Sequence, residues 1–246
     1  YYVNIHTDSN PAGEIRGQLI EVFGNMPPTV VCPDPVTMEC TSLNGELLSL
    51  TAMVSDPDGD PLTVSWIIDG EEVQTDDIPS GGGTTEEEVE LQYTFELGMT
   101  EVTIAVSDGE NEPVSCTTSI TVEDTTPPEI KKLRTSPSKL WPPNHKMVEV
   151  DVRVYAADIC GETTARIVSI ESNEPVNDIG DGNTEPDWEI TDDLEAYLRA
   201  ERSGTGNGRI YTLTVEVSDE SGNVASDTVE VHVPKSKKKK KGLRRR

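Results

Sequence analysis

Two echoing cassettes constrain the fold of this chain most: Val106-Ser107-Asp108-Gly109-Glu110-Asn111 and Val217-Ser218-Asp219-Glu220-Ser221-Gly222-Asn223. Each ends an alternating apolar/polar stretch, residues 101–106 and 209–217, and precedes another, residues 115–122 and 224–233. Side chains of a strand point to opposite faces in turn, so this alternation marks half-buried strands, and the Asp, Gly, Asn and Ser between them favour tight turns. The cassettes therefore predict two hairpins. Their spacing matches one β-sandwich of about 100 residues, so two sandwiches in tandem are expected.

The 246 residues leave room for both and a remnant. Aromatic residues make up only 4% of the chain, so the cores must be built from Val, Ile, Leu and Ala. The formal net charge of −26 hides a division. Residues 235–246, KSKKKKKGLRRR, carry nine basic and no acidic side chains, which leaves 11 basic against 46 acidic residues, a net −35, for the rest. Such a polyanion repels nucleic acid and anionic membranes, so no specific nucleic-acid partner is expected. The tail lacks interleaved aromatics and reads as a disordered basic end that can meet anionic polysaccharide or the acidic face of another copy. No apolar run reaches the 18 residues of a bilayer span. Tyr1-Tyr2-Val3-Asn4-Ile5 already reads as strand, so the beginning of the natural protein is expected to lie upstream.

Four segments follow. Residues 1–24 read as strand, turn at Asn10-Pro11-Ala12-Gly13, and strand. Residues 25–125 begin near Pro27-Pro28 and offer seven strands, at 29–31, 36–38, 47–54, 62–68, 89–95, 101–107 and 115–122, with Trp66 on the inward face. Seven short strands without a helix make an Ig-like sandwich. Residues 126–234 follow Thr125-Thr126-Pro127-Pro128 and offer strands at 130–133, 148–156, 165–172, 209–217 and 224–233, with one short helix expected over Asp192 to Glu201. The tail, 235–246, is the fourth. The expected fold class is all-β: tandem Ig-like β-sandwiches preceded by a β-hairpin remnant.

Three resemblances refine this. The V-N-x-H-T and N-P-x-G-E-I-R-G-Q-L patterns of residues 3–19 are similar to the last hairpin of a CHRD (chordin-type) domain, of which they cover about a fifth. Val31-Cys32-Pro33, the stretch Ser115 to Asp124 and the Thr-Pro-Pro linker resemble a hyalin repeat (HYR), whereas Asp56-Pro57-Asp58-Gly59-Asp60-Pro61-Leu62 to Trp66, Tyr93-Thr94-Phe95 and Val102 to Gly109 resemble a PKD-type repeat. Leu140-Trp141-Pro142-Pro143-Asn144-His145-Lys146, Ser172-Asn173-Glu174-Pro175 and Leu198-Arg199-Ala200-Glu201-Arg202, with Gly204 to Thr212, resemble an Ig-like domain found near the C-termini of large secreted bacterial proteins. All three resemblances imply extracellular modules.

Four cysteines in such a chain favour disulfides in an oxidising compartment. In an Ig-like sandwich the second half of the first strand runs parallel to the last strand, which lets Cys32 meet Cys116. Cys40 and Cys160 then either bridge, locking the angle between the sandwiches, or remain free thiols. Relatives of the third segment often carry a second Cys shortly after the position of Cys160, where this chain has Thr163-Thr164-Ala165-Arg166.

Asp56, Asp58 and Asp60 present carboxylates at alternate positions around a glycine, a donor set suited to calcium, although Asp-Pro-Asp-Gly is also a good turn sequence. Asp108 and Glu110 are expected beside them, giving up to five carboxylates. Asp158, Asp219 and Glu220, near Glu123 and Asp124, repeat the arrangement. A further acidic loop, Asp178, Asp181 and Asp187, offers another set of cation ligands but reads rather as solvated.

No catalytic constellation stands out. His6, His145 and His232 are isolated, no G-x-S-x-G occurs, and Gly81-Gly82-Gly83 lacks the lysine of a phosphate loop. The expected function is a non-catalytic extracellular stalk, spacer or adhesive module of a large secreted or surface bacterial protein, stiffened by calcium and disulfides. Its expected partners are other domains of the same protein, extracellular matrix or surface polysaccharide, and other copies of itself. The alternatives are an accessory region of a secreted hydrolase and a self-assembling fibre subunit in which the hairpin completes a neighbour's sheet.

Overall fold

The computed structural model describes residues 2–18, 24–80, 86–176 and 185–236, with side chains from residues 7–9 and from residue 24 onward. Every element among them is a strand: β1 (Tyr2–Thr7), β2 (Asn10–Gln18), β3 (Thr29–Val31), β4 (Val36–Glu39), β5 (Glu46–Ser55), β6 (Leu62–Ile68), β7 (Glu71–Ile78), β8 (Glu87–Phe95), β9 (Gly98–Ser107), β10 (Val114–Glu123), β11 (Glu129–Ser136), β12 (Met147–Ala157), β13 (Thr163–Ser172), β14 (Trp188–Asp192), β15 (Glu195–Arg199), β16 (Gly208–Asp219) and β17 (Val224–Pro234). Among the described residues no helix is long and apolar enough to cross a membrane.

The chain divides into two compact units, Tyr1–Thr37, Leu47–Phe95 and Met99–Thr121 in the first, Met38–Glu46, Glu96–Gly98 and Val122–Arg246 in the second. Strands β3 to β10 form a five-stranded sheet, ordered β4-β10-β9-β6-β7, and a three-stranded one, β3-β5-β8. Inward residues alternate as a sandwich core requires: Leu50, Ala52 and Val54 on β5, Leu62, Val64, Trp66 and Ile68 on β6, and Val102, Ile104 and Val106 on β9 are all buried. Trp66 is fully buried, its indole N–H donating to Asp76 Oδ2 at 3.2 Å. Disulfide Cys32–Cys116 spans 5.8 Å between Cα atoms in this unit.

Strand β7 is an addition to the seven strands read from the sequence. Its EEVQTDDI run pairs with β6 from Leu62↔Ile78 to Ile68↔Glu71 and forms the edge of the five-stranded sheet. Acidic side chains are tolerated there because an exposed edge benefits from charges that discourage further pairing.

Strands β11 to β17 form a four-stranded sheet, β11-β12-β15-β14, and a three-stranded one, β13-β16-β17. Both contribute to one core, which includes Val150, Val152, Ile167, Ile170, Ala196, Leu198, Leu213, Val215 and Val231. The cassette at 217–223 closes the β16–β17 hairpin, whose register runs from Gly208↔Pro234 to Ser218↔Val224. The short helix expected over Asp192 to Glu201 is instead a β14–β15 hairpin, Trp188↔Leu198 to Asp192↔Glu195. Leu, Glu and Ala favour helix in isolation, but Ala196 and Leu198 are completely buried while Glu195 is exposed, and pairing with β12 overrides local propensity.

In the N-terminal hairpin, Thr7 pairs with Asn10, so the turn is Asp8-Ser9 and the expected turn residues Asn10 to Gly13 lie inside β2. Asp and Ser are themselves turn formers, and Pro11 is acceptable on a strand with a free edge.

Candidate metal centre

The loop between β5 and β6 carries Asp56, Asp58 and Asp60. Asp56 Oδ1 accepts the N–H groups of Asp58 at 2.8 Å and Asp60 at 3.2 Å, and Gly59 adopts φ 78° to complete the turn. The turn reading of this sequence is thus part of the structure. It leaves an oxygen over: Asp56 is 4% exposed, and its Oδ2 is buried without a hydrogen-bond partner. An unpaired buried carboxylate oxygen costs a few kcal/mol unless something satisfies it.

Carboxylate oxygens of Asp56, Asp58 and Asp60 lie within 4.8 Å of one another. Oxygens on one calcium ion, each about 2.4 Å from it, stand at most about 5 Å apart, so the spacing fits shared coordination. Two unit charges about 4 Å apart near a protein surface repel by roughly 4 kcal/mol before further screening, which a divalent cation reverses.

Asp108 and Glu110 do not extend this group. Asp108 Oδ1 accepts the N–H groups of Glu110 and Asn111 at 2.9 and 2.8 Å, and Oδ2 accepts the side-chain amides of Asn111 and Asn25 at 2.7 and 2.9 Å. Hydrogen bonds from the Asn111 side chain and backbone hold the Asp108 pKa down to about 2. Asp108 is therefore the organiser of the β9–β10 turn. Glu110 is exposed and outside the metal-capable groups found among the described residues. The neighbour of the 56–60 loop is the segment 25–26, since the Met26 N–H donates to Asp58 Oδ2 at 2.6 Å.

In the second unit, Asp219 repeats the role of Asp108. Its Oδ1 accepts the Asn223 N–H at 2.8 Å and its Oδ2 the Asn223 side-chain amide at 3.0 Å, while that amide also donates to Asp124 O at 2.9 Å. Glu220 sits over Gly161, where an added Cβ would meet its Oε2 at 3.1 Å. Asp124 and Asp158 approach each other and Cys160, but the Cys160 sulfur is bound in a disulfide with Cys40. A disulfide sulfur is no thiolate donor, so this group reduces to two carboxylates. The Glu123 side chain is exposed, and its carbonyl accepts the Cys40 N–H at 2.7 Å. Glu149, Asp151 and Glu195 form a third acidic group, at the surface.

The sequence did not point to the most buried charges among the described residues. Arg209, completely buried, meets Asp187, lies 3.6 Å from Glu201 and 3.6 Å from Glu174, and donates to Tyr211 Oη at 3.2 Å and Pro175 O at 2.9 Å. Arg199 lies 3.6 Å from Asp187 and donates to Pro186 O and His145 O at 2.6 and 2.9 Å. Tyr211 donates to Arg199 O at 2.9 Å, and His145 Nδ1 is 3.1 Å from Glu201 Oε2. Burial pushes the Asp187 pKa up to about 6 and Tyr211 to about 12, Arg209 opposing both. Asp187, expected in a solvated loop, is 2% exposed. Asp178 and Asp181, Gly81 to Gly83, and residues 237–246 of the tail fall outside the described residues. The three motifs carrying the resemblance of the third segment supply all of this cluster except Pro186 and Asp187: His145, then Glu174 and Pro175, then Arg199, Glu201, Arg209 and Tyr211. A signal was present in these non-alternating charged residues beside Pro and Gly, but no local periodicity reports convergence.

Residues 25–122 match the family described as Bacterial Ig domain, and residues 1–19 match the CHRD domain. No curated protein sequence matches the chain. Among solved structures, the CARDB domain of a Pyrococcus furiosus protein in complex with di-metal ions aligns at 18% identity over 42% of this chain and 99% of that one, TM-score 0.33. The N-terminal Ig1-2 module of the Drosophila receptor protein tyrosine phosphatase DLAR aligns at 12% identity over 84% of this chain and 98% of that one, TM-score 0.30. Sidekick-1 immunoglobulin domains 1–4 align at 13% identity over 87% of this chain and 50% of that one, TM-score 0.40.

Proposed function

We propose that this chain is a non-catalytic extracellular module, a stalk, spacer or adhesive unit of a large secreted or surface-attached bacterial protein, and that its first sandwich takes up calcium in the loop 56–60. The observation that carries the calcium reading is Asp56 Oδ2, buried and unpartnered beside two further carboxylates. Two disulfides support an oxidising compartment, where such bonds persist. The bacterial Ig match over residues 25–122 supports a repeat-type module, within which Cys32–Cys116 favours the hyalin-repeat reading and Asp56 to Asp60 the PKD-type one. Its partners are neighbouring domains, matrix or surface polysaccharide, and other copies. Calorimetric titration of the chain with calcium chloride tests the cation: saturable heat that Asp56→Asn removes is expected, and a flat titration of the folded protein counts against it.

A second reading, self-assembly by strand addition, draws on the β1–β2 hairpin, which pairs with no other strand among the described residues. Sedimentation that rises with concentration and is abolished by deleting residues 1–23 distinguishes it.

A further inference from the structure

The carboxylate of Asp58 faces two ways. It belongs to the group with Asp56 and Asp60, and its Oδ2 accepts the Met26 N–H at 2.6 Å across 32 residues of sequence. Pro27 and Pro28 carry no N–H, so Met26 offers the last backbone donor before β3 begins at Thr29. Asn25, one residue earlier, is fixed separately by its amide on Asp108 Oδ2. The lead-in to the sandwich is thus pinned at two adjacent residues by two aspartates. Asp108 is locked by its own turn. Asp58 is exposed, the outermost of three mutually repelling carboxylates, and its position depends on what offsets that repulsion.

We propose that the cation of this loop is a clasp: held by Asp56 Oδ2, Asp58 and Asp60, it fixes the Asp58 carboxylate and thereby the backbone of residues 25–28 where the chain enters the first sandwich. This rests on the calcium reading above and adds a consequence to it. Asp56 supplies the buried unpartnered oxygen, Asp60 the second carboxylate, and Asp58 the one shared with Met26. Coupling of this kind is reciprocal, so a bound cation strengthens the Met26 hydrogen bond by the same factor by which that bond strengthens cation binding.

Amide exchange at Met26, followed by NMR with calcium and with chelator, tests the clasp, with calorimetry on the same sample reporting binding. The expected result is slowing at Met26 by roughly fivefold or more on saturation, absent in Asp60→Asn, which removes a ligand without touching the Met26 bond. In the converse variant, Met26→Pro, calcium affinity is expected to fall by a similar factor. A residue preceding proline already favours the extended region that proline accepts, so the change suits the site. Binding heat with unchanged Met26 exchange overturns the clasp and leaves the calcium reading standing. Neither heat nor protection overturns both.

Discussion

The Arg209 guanidinium and the Asp187 carboxylate meet with neither side chain exposed to solvent. Glu201 and Glu174 approach the same guanidinium, each at 3.6 Å. Removing the cation alone leaves buried carboxylates without their main partner, the case in which breaking a buried ion pair costs about 3–5 kcal/mol. Arg209→Met is expected to lose about that much in urea unfolding. Asp187→Asn, which keeps an acceptor for Arg209, is expected to lose less.

Two aspartates give opposite pH dependence. Asp108, held down to about 2 by Asn111, has a folded pKa below its ordinary value, so its contribution is present above about pH 4 and lost as pH falls toward 2. Asp187, pushed up to about 6 by burial, has a folded pKa above its ordinary value, so its contribution is present below about pH 4 and lost as pH rises through 6. Unfolding at a series of pH values should show Asp108→Asn flattening the acid limb and Asp187→Asn flattening the slope between pH 4 and 7.

Strand β15 makes a test by alternation. Leu198 is completely buried and Tyr197 faces outward, its hydroxyl on Glu149 at 2.9 Å. Leu198→Ala is expected to cost about 2–5 kcal/mol and Tyr197→Ala about 1 or less, measured by denaturant titration. Equal costs would contradict the strand.

The Cys40–Cys160 disulfide closes a separation of 120 residues. Replacing both cysteines with serine is expected to lower stability by about 2–5 kcal/mol in non-reducing denaturation. The paired change avoids a free thiol, and reduction of the unmodified chain should cost more than the paired change, since it opens Cys32–Cys116 as well.

Alternation made most strands legible: 62–68 was read to the residue, and both cassettes close hairpins where they were expected. The acidic edge β7 was missed because an edge strand need not alternate in hydrophobicity, and β15 because its helix formers are set in a strand by contacts with β12. The Asp56, Asp58 and Asp60 group was legible because alternate carboxylates around a glycine are a local pattern. That Asp108 and Asp219 spend their oxygens on Asn111, Asn25 and Asn223 was not, since a turn-forming and a ligating aspartate look alike until their partners are placed. The cluster around Arg209 was least legible, as its members come from four stretches of chain brought together only by the fold.

The central claim, that loop 56–60 holds calcium through Asp56, is tested most directly by thermal melts of the unmodified chain and of Asp56→Asn, with millimolar calcium and with chelator, under non-reducing conditions. A hundredfold excess over Kd adds about 2.7 kcal/mol, which for a domain of about 100 residues raises Tm by roughly 10 °C or more. That shift is expected for the unmodified chain, and its loss is expected in Asp56→Asn. Coincident melts of the unmodified chain with calcium and with chelator would contradict it.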